Sequence, residues 1–146
     1  MNKWDSRFLD MAKLVSGWSK DPSTKVGAVL TDGKEVVSVG FNGLPKGVPD
    51  DPMNLTNRDR KYPMTIHAEQ NAINYAHRSL KGATLYTTHC LCAKCAGQIV
   101  QMGVKRVVTH HPSAEFVERW GEEMELAMYM LEHARVNYEF FQGVTE

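Results

Sequence analysis

Two short segments carry most of the chemistry open to this chain of 146 residues, His67-Ala68-Glu69 and Cys92-Ala93-Lys94-Cys95. Cysteines three apart at a helix start present both sulfurs to one point, and a thiolate there gains from the positive end of the helix. His67, at the start of a second predicted helix, supplies a nitrogen from an adjacent direction. Two thiolates and one imidazole suit zinc, and three protein ligands leave a fourth position for water. Zinc lowers the pKa of such a water to about 7, which is what hydrolysis needs. Glu69, two residues after the histidine, can stand beside the metal without binding it, take the proton of the water and hand it to a leaving group. The competing reading is a structural zinc knuckle with Cys90 or His89 as a fourth ligand. Against it, the C-x-C spacing of Cys90 and Cys92 is unusual for a knuckle, and Glu69 would have no role.

The hydrophobic pattern marks out the elements that must position these side chains. Trp4, Phe8, Met11, Val15 and Trp18 recur at steps of four and three, predicting a helix of about four turns that Asp21-Pro22-Ser23 ends. Val26 to Thr31 and Val36 to Gly40 predict a hairpin around Asp32-Gly33. Residues 41–65 show no period and read as a long functional loop. A helix over 67–78, a strand over 83–87 and a helix over 92–102 follow, the last carrying Ala96, Ile99 and Val100 and capped by Gly103. A strand over 104–109 leads to a helix that Ser113 caps and that runs to Ala134. Its inward residues are expected to be Val117, Trp120, Met124, Met128 and Leu131, with Gly121 a candidate break. A last strand covers 136–141. This order predicts one domain over 1–146, an α/β fold built as a three-layer α/β/α sandwich around a mixed sheet of about five strands.

Composition narrows the function classes. Apolar residues make up 42% and charged residues 23%, which excludes disordered and fibrous chains. Seventeen basic residues cancel seventeen acidic ones, so a nucleic-acid-coating role lacks its basic face. No apolar run approaches a membrane span. The first ten residues lack the apolar core of a signal peptide. The three cysteines fall within six residues and are odd in number, unlike a disulfide framework, so a reduced, cytoplasmic setting is expected.

The H-x-E and C-x-x-C segments match the pattern of zinc nucleobase deaminases, in which hydroxide attacks C4 of cytosine or C6 of adenine and ammonia leaves. The match extends further, through Ser19-Lys20-Asp21-Pro22-Ser23-Thr24-Lys25-Val26-Gly27-Ala28 and Gly40-Phe41-Asn42-Gly43-Leu44-Pro45-Lys46-Gly47. It continues in Lys61-Tyr62-Pro63, His67-Ala68-Glu69-Gln70-Asn71-Ala72-Ile73, Lys81-Gly82-Ala83-Thr84-Leu85-Tyr86 and Cys92-Ala93-Lys94-Cys95-Ala96. On these residues, from about residue 8 to residue 110, the chain resembles the deoxycytidylate deaminases of the cytidine deaminase-like superfamily.

The resemblance implies deamination of dCMP to dUMP, which feeds thymidylate synthesis. Zinc would sit on His67, Cys92 and Cys95, with Glu69 shuttling protons, Asn42 on the deoxyribose and the Ala68 backbone at the base edge. It also implies a homo-oligomer, with a hexamer favoured, activated by dCTP and inhibited by dTTP with magnesium on the triphosphate. Lys25, Gly40, Asn42 and Gly43 are the effector-site candidates. The setting would be the cytoplasm, that of the host if the source is viral. Three departures bear on the substrate. Leu91 replaces the proline before the first cysteine, His89 and Cys90 replace apolar or small residues beside the pocket, and Gln70 replaces leucine. The rivals are a deaminase of another small nucleotide, nucleoside or base, a tRNA editor disfavoured by the neutral charge, and a non-catalytic zinc module that senses nucleotides.

The remaining features have plainer readings. Arg58, Arg60 and Lys61 form a basic patch that could meet phosphates, though a solvated loop is the commoner case. Asp50 and Asp51 read as a turn before a magnesium site, and His110-His111 as a loop before a second metal site. Tyr75 and Arg78 face away from the metal. Met124, Met128 and Met130 read as core or an oligomer face, and Glu115, Glu118, Glu122, Glu123 and Glu125 as a solvated helix face.

Overall fold

The computed structural model describes residues 1–144. The first helix, α1 (Lys3–Ser16), begins where Asn2 caps it. The Asn2 side chain accepts from the amides of Trp4 and Asp5, and the Asp5 carboxylate accepts from the Asn2 amide in return. The helix buries Phe8, Leu9, Ala12 and Val15 but stops before Trp18. That ring is 55% exposed and meets Phe41 edge-on at 6.1 Å. The predicted stripe therefore loses Trp18, because the chain turns at Gly17, and Met11 is exposed as well. Asp5, in the first turn of α1, is buried and takes a bond from the Tyr86 hydroxyl at 2.7 Å and two from the Arg106 guanidinium at 2.8 and 3.1 Å.

The hairpin forms as predicted, from β1 (Gly27–Asp32) and β2 (Glu35–Phe41). Residues 41–65, expected to be a loop, contain two short helices, α2 (Pro52–Thr56) and α3 (Arg58–Met64). Asp51 caps the first through the Asn54 amide and Asn57 caps the second through the Asp59 amide. Neither spans two full turns, too little for an apolar period to register. Then come α4 (Ala68–Tyr75), β3 (Thr84–Thr87), α5 (Ala93–Gln101), β4 (Arg106–Thr109), α6 (Ala114–His133) and β5 (Asn137–Phe140).

The five strands lie in the order β2-β1-β3-β4-β5. The pairs β2-β1 and β1-β3 are antiparallel, while β3-β4 and β4-β5 are parallel. Alternation along each strand divides the sheet's two faces. Val29, Tyr86 and Val108 pack on Phe8, Leu9 and Ala12 of α1. Ala28, Leu30, Leu85 and Val107 pack on the opposite side, against Ala72 of α4, Ile99 of α5 and Leu131 of α6. The three-layer α/β/α sandwich with a mixed five-stranded sheet is thus the observed fold.

Two glycines let helices seat on the hairpin. A Cβ on Gly27 would lie 1.9 Å from the Ala12 carbonyl oxygen, and one on Gly40 would lie 2.3 Å from that of Ala68 and 2.4 Å from the Ala72 nitrogen. Since those neighbours are backbone, Gly40→Ala must push α4 off the sheet. It is expected to cost about 3 kcal/mol of stability, read from the urea midpoint at unchanged slope.

Several surface readings change. Helix α6 passes Gly121 without a break and buries Met124, Ala127 and Leu131, while Val117, Trp120 and Met128 stay exposed. Its inward stripe is narrower than expected because α6 covers the sheet's end rather than its centre, packing mainly on α5. The basic patch dissolves: Lys61 is buried on Asp21 at 2.8 Å, and the Arg60 guanidinium is bound to Asn54. Asp50 pairs with Lys20 at the surface, and His110 and His111 meet the rings of Phe141 and Phe140. Arg78 pairs with Asp32 and Glu35 of the hairpin. Among the described residues no helix is long and apolar enough to cross a membrane.

The Lys61–Asp21 pair joins α3 to the segment between α1 and β1. Burial alone would raise the Asp21 carboxyl, yet Lys61 and the amides of Thr24 and Ser23 hold it below its ordinary 3.8. A folded-state pKa below the unfolded one adds stability that is full above pH 4 and drains away as pH falls through the folded value. Lys61→Met leaves the carboxylate buried without its cation. It is expected to lose about 3 kcal/mol at pH 7, with a flatter acid limb in stability measured from pH 7 to 2.

Candidate metal centre and active site

Each candidate ligand stands at the beginning of a helix. His67 is the N-cap of α4, and its backbone is fixed on both sides. Before it, Ile66 and Gly43 exchange two hydrogen bonds, Ile66 N–H to the Gly43 carbonyl at 2.8 Å and Gly43 N–H to the Ile66 carbonyl at 3.1 Å. After it, the Gln70 side-chain oxygen accepts from the His67 amide at 2.9 Å. Gln70, unexplained as a departure in sequence, is the residue that closes this helix start. Cys92 is the N-cap of α5, and Cys95 follows one turn later with its amide 3.5 Å from the Cys92 sulfur.

The two helix starts bring the three side chains together. His67 Nδ1 lies 3.2 Å from Cys95 Sγ and 3.4 Å from Cys92 Sγ, and all three ligand atoms fall within 4.8 Å of one another. Tetrahedral zinc bonded at its usual lengths separates a nitrogen and a sulfur by about 3.6 Å, so the donor set fits that ion by type and spacing. Cys92 is pushed down to about 4, first by its hydrogen bond with Cys95 and, against the opposing effect of burial, by the His67 ring. The Cys95 thiol moves up in the same exchange.

The fourth ligand of a structural knuckle is missing from this group. Among the described residues, the cluster able to hold a metal consists of His67, Cys92 and Cys95. Cys90 is buried with Tyr138 as its hydrogen-bond neighbour, and burial pushes its thiol pKa up. His89 is hydrogen-bonded with the Thr88 hydroxyl at 2.8 Å. Leu91, in the place of the expected proline, is a buried core side chain.

Glu69 is the second residue of α4 and is 4% exposed. Burial raises its carboxyl above the ordinary range, and the Thr87 hydroxyl donates to Oε1 at 3.0 Å. Thr87 also lies 3.2 Å from the His89 carbonyl, two acceptors for one hydrogen, so its bond to the carboxylate is exchangeable. The Glu69 Oε2 atom is not engaged by this hydroxyl.

Asn42 is buried and already in use: its side-chain oxygen accepts from Val26 N–H at 2.9 Å, and its amide donates to the Thr24 carbonyl at 2.8 Å. One N–H and one lone pair remain for a ligand. Ala68 is fully buried at the first turn of α4, against Gly40. Lys25 reaches the Ser19 carbonyl. Gly40 and Gly43 line a groove of about 530 Å³ together with Phe41, Lys46, Asn71 and Tyr75, and Lys25 is not among its lining residues.

Three site neighbours escaped the sequence reading. Thr87 is the last residue of β3 and carries no motif. Glu123, expected on a solvated face, instead accepts from the Ala93 amide at 2.9 Å and so ties α6 to the helix start beside Cys92. Arg119, one turn earlier, donates to the Tyr62 hydroxyl at 2.8 Å. Nothing in a run of glutamates distinguishes the one that folds inward.

Comparison with known proteins bears on the same residues. The family model for the cytidine and deoxycytidylate deaminase zinc-binding region matches residues 2–111. An uncharacterized deaminase from the luxG 3′ region of Aliivibrio fischeri is 46% identical over 136 residues, covering 93% of this chain and 92% of that one. A probable deoxycytidylate deaminase of Caenorhabditis elegans is 40% identical over 142 residues, covering 94% and 69%. Among solved structures, the dCMP deaminase of cyanophage S-TIM5 in complex with dCMP and dUMP superposes with a TM-score of 0.76 at 26% identity, covering 93% of this chain and 95% of that one.

Proposed function

The chain belongs to the cytidine and deoxycytidylate deaminase family, and from that membership we propose that it converts dCMP and water to dUMP and ammonia at the site formed by His67, Glu69, Cys92 and Cys95. The observation that carries this reading is the convergence of three donors, not four, beside a buried carboxylate. A three-donor site keeps a coordination position for a reactant, whereas a scaffold would close it.

Zinc, which His67, Cys92 and Cys95 would hold, would supply a Lewis acid that makes water a competent nucleophile near neutral pH. The protein's own part is proton movement and orientation. Glu69 takes one proton from the attacking water and delivers it to the pyrimidine N3 as the C4–O bond forms. It then takes the second oxygen-bound proton and delivers it to the exocyclic amine, so the C4–N bond breaks and ammonia leaves neutral. Thr87 orients the carboxylate by donating to Oε1 and leaves Oε2 to carry the proton. The starts of α4 and α5 bring the positive ends of their helices to the site, which favours negative charge there. Asn42, with one donor and one acceptor to spare, would meet the deoxyribose, and the Ala68 backbone the base edge.

The same reading extends to regulation and assembly. The groove beside Gly40 and Gly43 would take dCTP or dTTP with magnesium, and Lys46 is its cation. Exposed Leu14 and Trp18 suit burial between subunits of a homo-oligomer such as a hexamer. Free cysteines suit a reducing cytoplasm.

Ammonia release from zinc-loaded protein, compared across dCMP, CMP, deoxycytidine, cytosine and dAMP, tests the reading directly. dCMP is expected to turn over fastest. Silence on every substrate with zinc bound would overturn it.

A further inference from the structure

Three side chains on one face of α6 reach toward the segments that carry the metal ligands. The Phe116 ring lies 6.1 Å from that of His89, and the Glu123 carboxylate accepts from the Ala93 amide beside Cys92. Arg119 stands between them, three residues after Phe116 and four before Glu123, spacings that place all three on the same side of a helix. Its Nη2 donates to the Tyr62 hydroxyl at 2.8 Å. Tyr62 sits in α3, five residues ahead of His67. Arg119 is thus bracketed by contacts to His89 and Ala93, on either side of Cys92, and bonded to the helix that leads into the histidine.

Its guanidinium lies 5.1 Å from the centre of the Trp120 ring, and its charge is not neutralised. Among the described residues no carboxylate forms an ion pair with Arg119, the Glu123 carboxylate being turned onto α5. The guanidinium is exposed and has four further N–H donors. Four other cations of the chain are engaged: Lys61 on Asp21, Arg60 on Asn54, Lys25 on the Ser19 carbonyl and Lys20 on Asp50. A planar fork of donors oriented by a neutral hydroxyl is suited to two oxygens of one phosphate.

We propose that Arg119, oriented by Tyr62, binds the 5′-phosphate of the substrate and makes the site select a nucleoside monophosphate over a nucleoside. This rests on the deaminase reading above and names a specificity residue for it. Phe116 and Tyr62 would flank the sugar, while Glu123 keeps α6 in register with the ligand turn.

The test uses the zinc-loaded full chain and calorimetric binding of the product pair dUMP and deoxyuridine. Arg119→Gln is expected to weaken dUMP by about 10- to 100-fold and leave deoxyuridine unchanged. Arg119→Lys should recover part of the loss, since it keeps the charge but not the fork. Tyr62→Phe should weaken dUMP by about 5-fold, which tests the same contact from its other side. In turnover, Arg119→Gln should raise the KM for dCMP more than it lowers kcat. Equal weakening of both ligands, or unchanged dUMP binding in a variant that still holds zinc, would overturn the assignment. If wild-type protein deaminates dCMP and Arg119→Gln does so with the same KM, the phosphate assignment alone fails. If wild-type protein neither deaminates dCMP nor binds dUMP, the deaminase reading fails and takes this inference with it.

Discussion

Replacing Glu69 with glutamine is expected to lower dCMP turnover by about 10³- to 10⁴-fold while zinc content stays at one per chain. The amide keeps the shape of the carboxylate and an oxygen for the Thr87 hydroxyl, so the buried pocket is left filled and bonded. What disappears is a group that can accept a proton from water and release it to N3 and the amine. Because the residue is almost wholly buried, bulk solvent has little access to substitute for it. Single-turnover ammonia release paired with metal analysis separates the two effects. Turnover within tenfold of wild type would place the proton carrier elsewhere, and loss of zinc would make Glu69 a support of the metal rather than a participant in the chemistry.

Cys95→Ser is expected to have the second largest effect, loss of both zinc and activity. Even partners that only orient a metal ligand are worth about 10- to 100-fold in affinity, and removing the ligand itself should exceed the upper figure. Cys95 is also fully buried in the core, where a serine hydroxyl would need a new partner. The ligands join two helix starts that are distant in sequence, so metal binding adds to folding stability. For wild type, the melting temperature should rise with buffered free zinc, following the mass-action law for a ligand of the native state. For Cys95→Ser it should be flat over the same range. A variant that retained stoichiometric zinc would show that the cluster is not the metal centre.

What the sequence revealed and what it hid divide along physical lines. The ligand pair Cys92 and Cys95 and the residue pair His67 and Glu69 are local spacings on helix starts, and local spacing survives folding. The β-branched run from Val26 to Thr31 likewise marked a strand, which the fold buries on both faces. Helices α2 and α3 were hidden because five and seven residues hold too little of a 3.6-residue period. Their signals were caps, Asp51 before Pro52 and Asn57 before Arg58, and those stand out only once the loop is suspected of structure. Lys61 appeared to be a surface cation because its partner Asp21 lies forty residues away. Glu123 and Thr87 were hidden for the same reason. Each gains its role from an element that folds against it, and a run of similar residues carries no mark of which one turns inward.

The paired bonds between Gly43 and Ile66 have a consequence for how such a site can diverge. They close residues 44–65 at their base, so His67 takes its position from the hairpin and not from whatever lies in between. Lengthening a closed segment of this kind costs little, about 0.6 kcal/mol for each doubling. Tyr62 lies inside the closed segment and His67 just outside it. Insertions and substitutions there can remodel the wall that faces the substrate while the metal ligand stays where it is, so selectivity and metal binding are free to evolve at different rates.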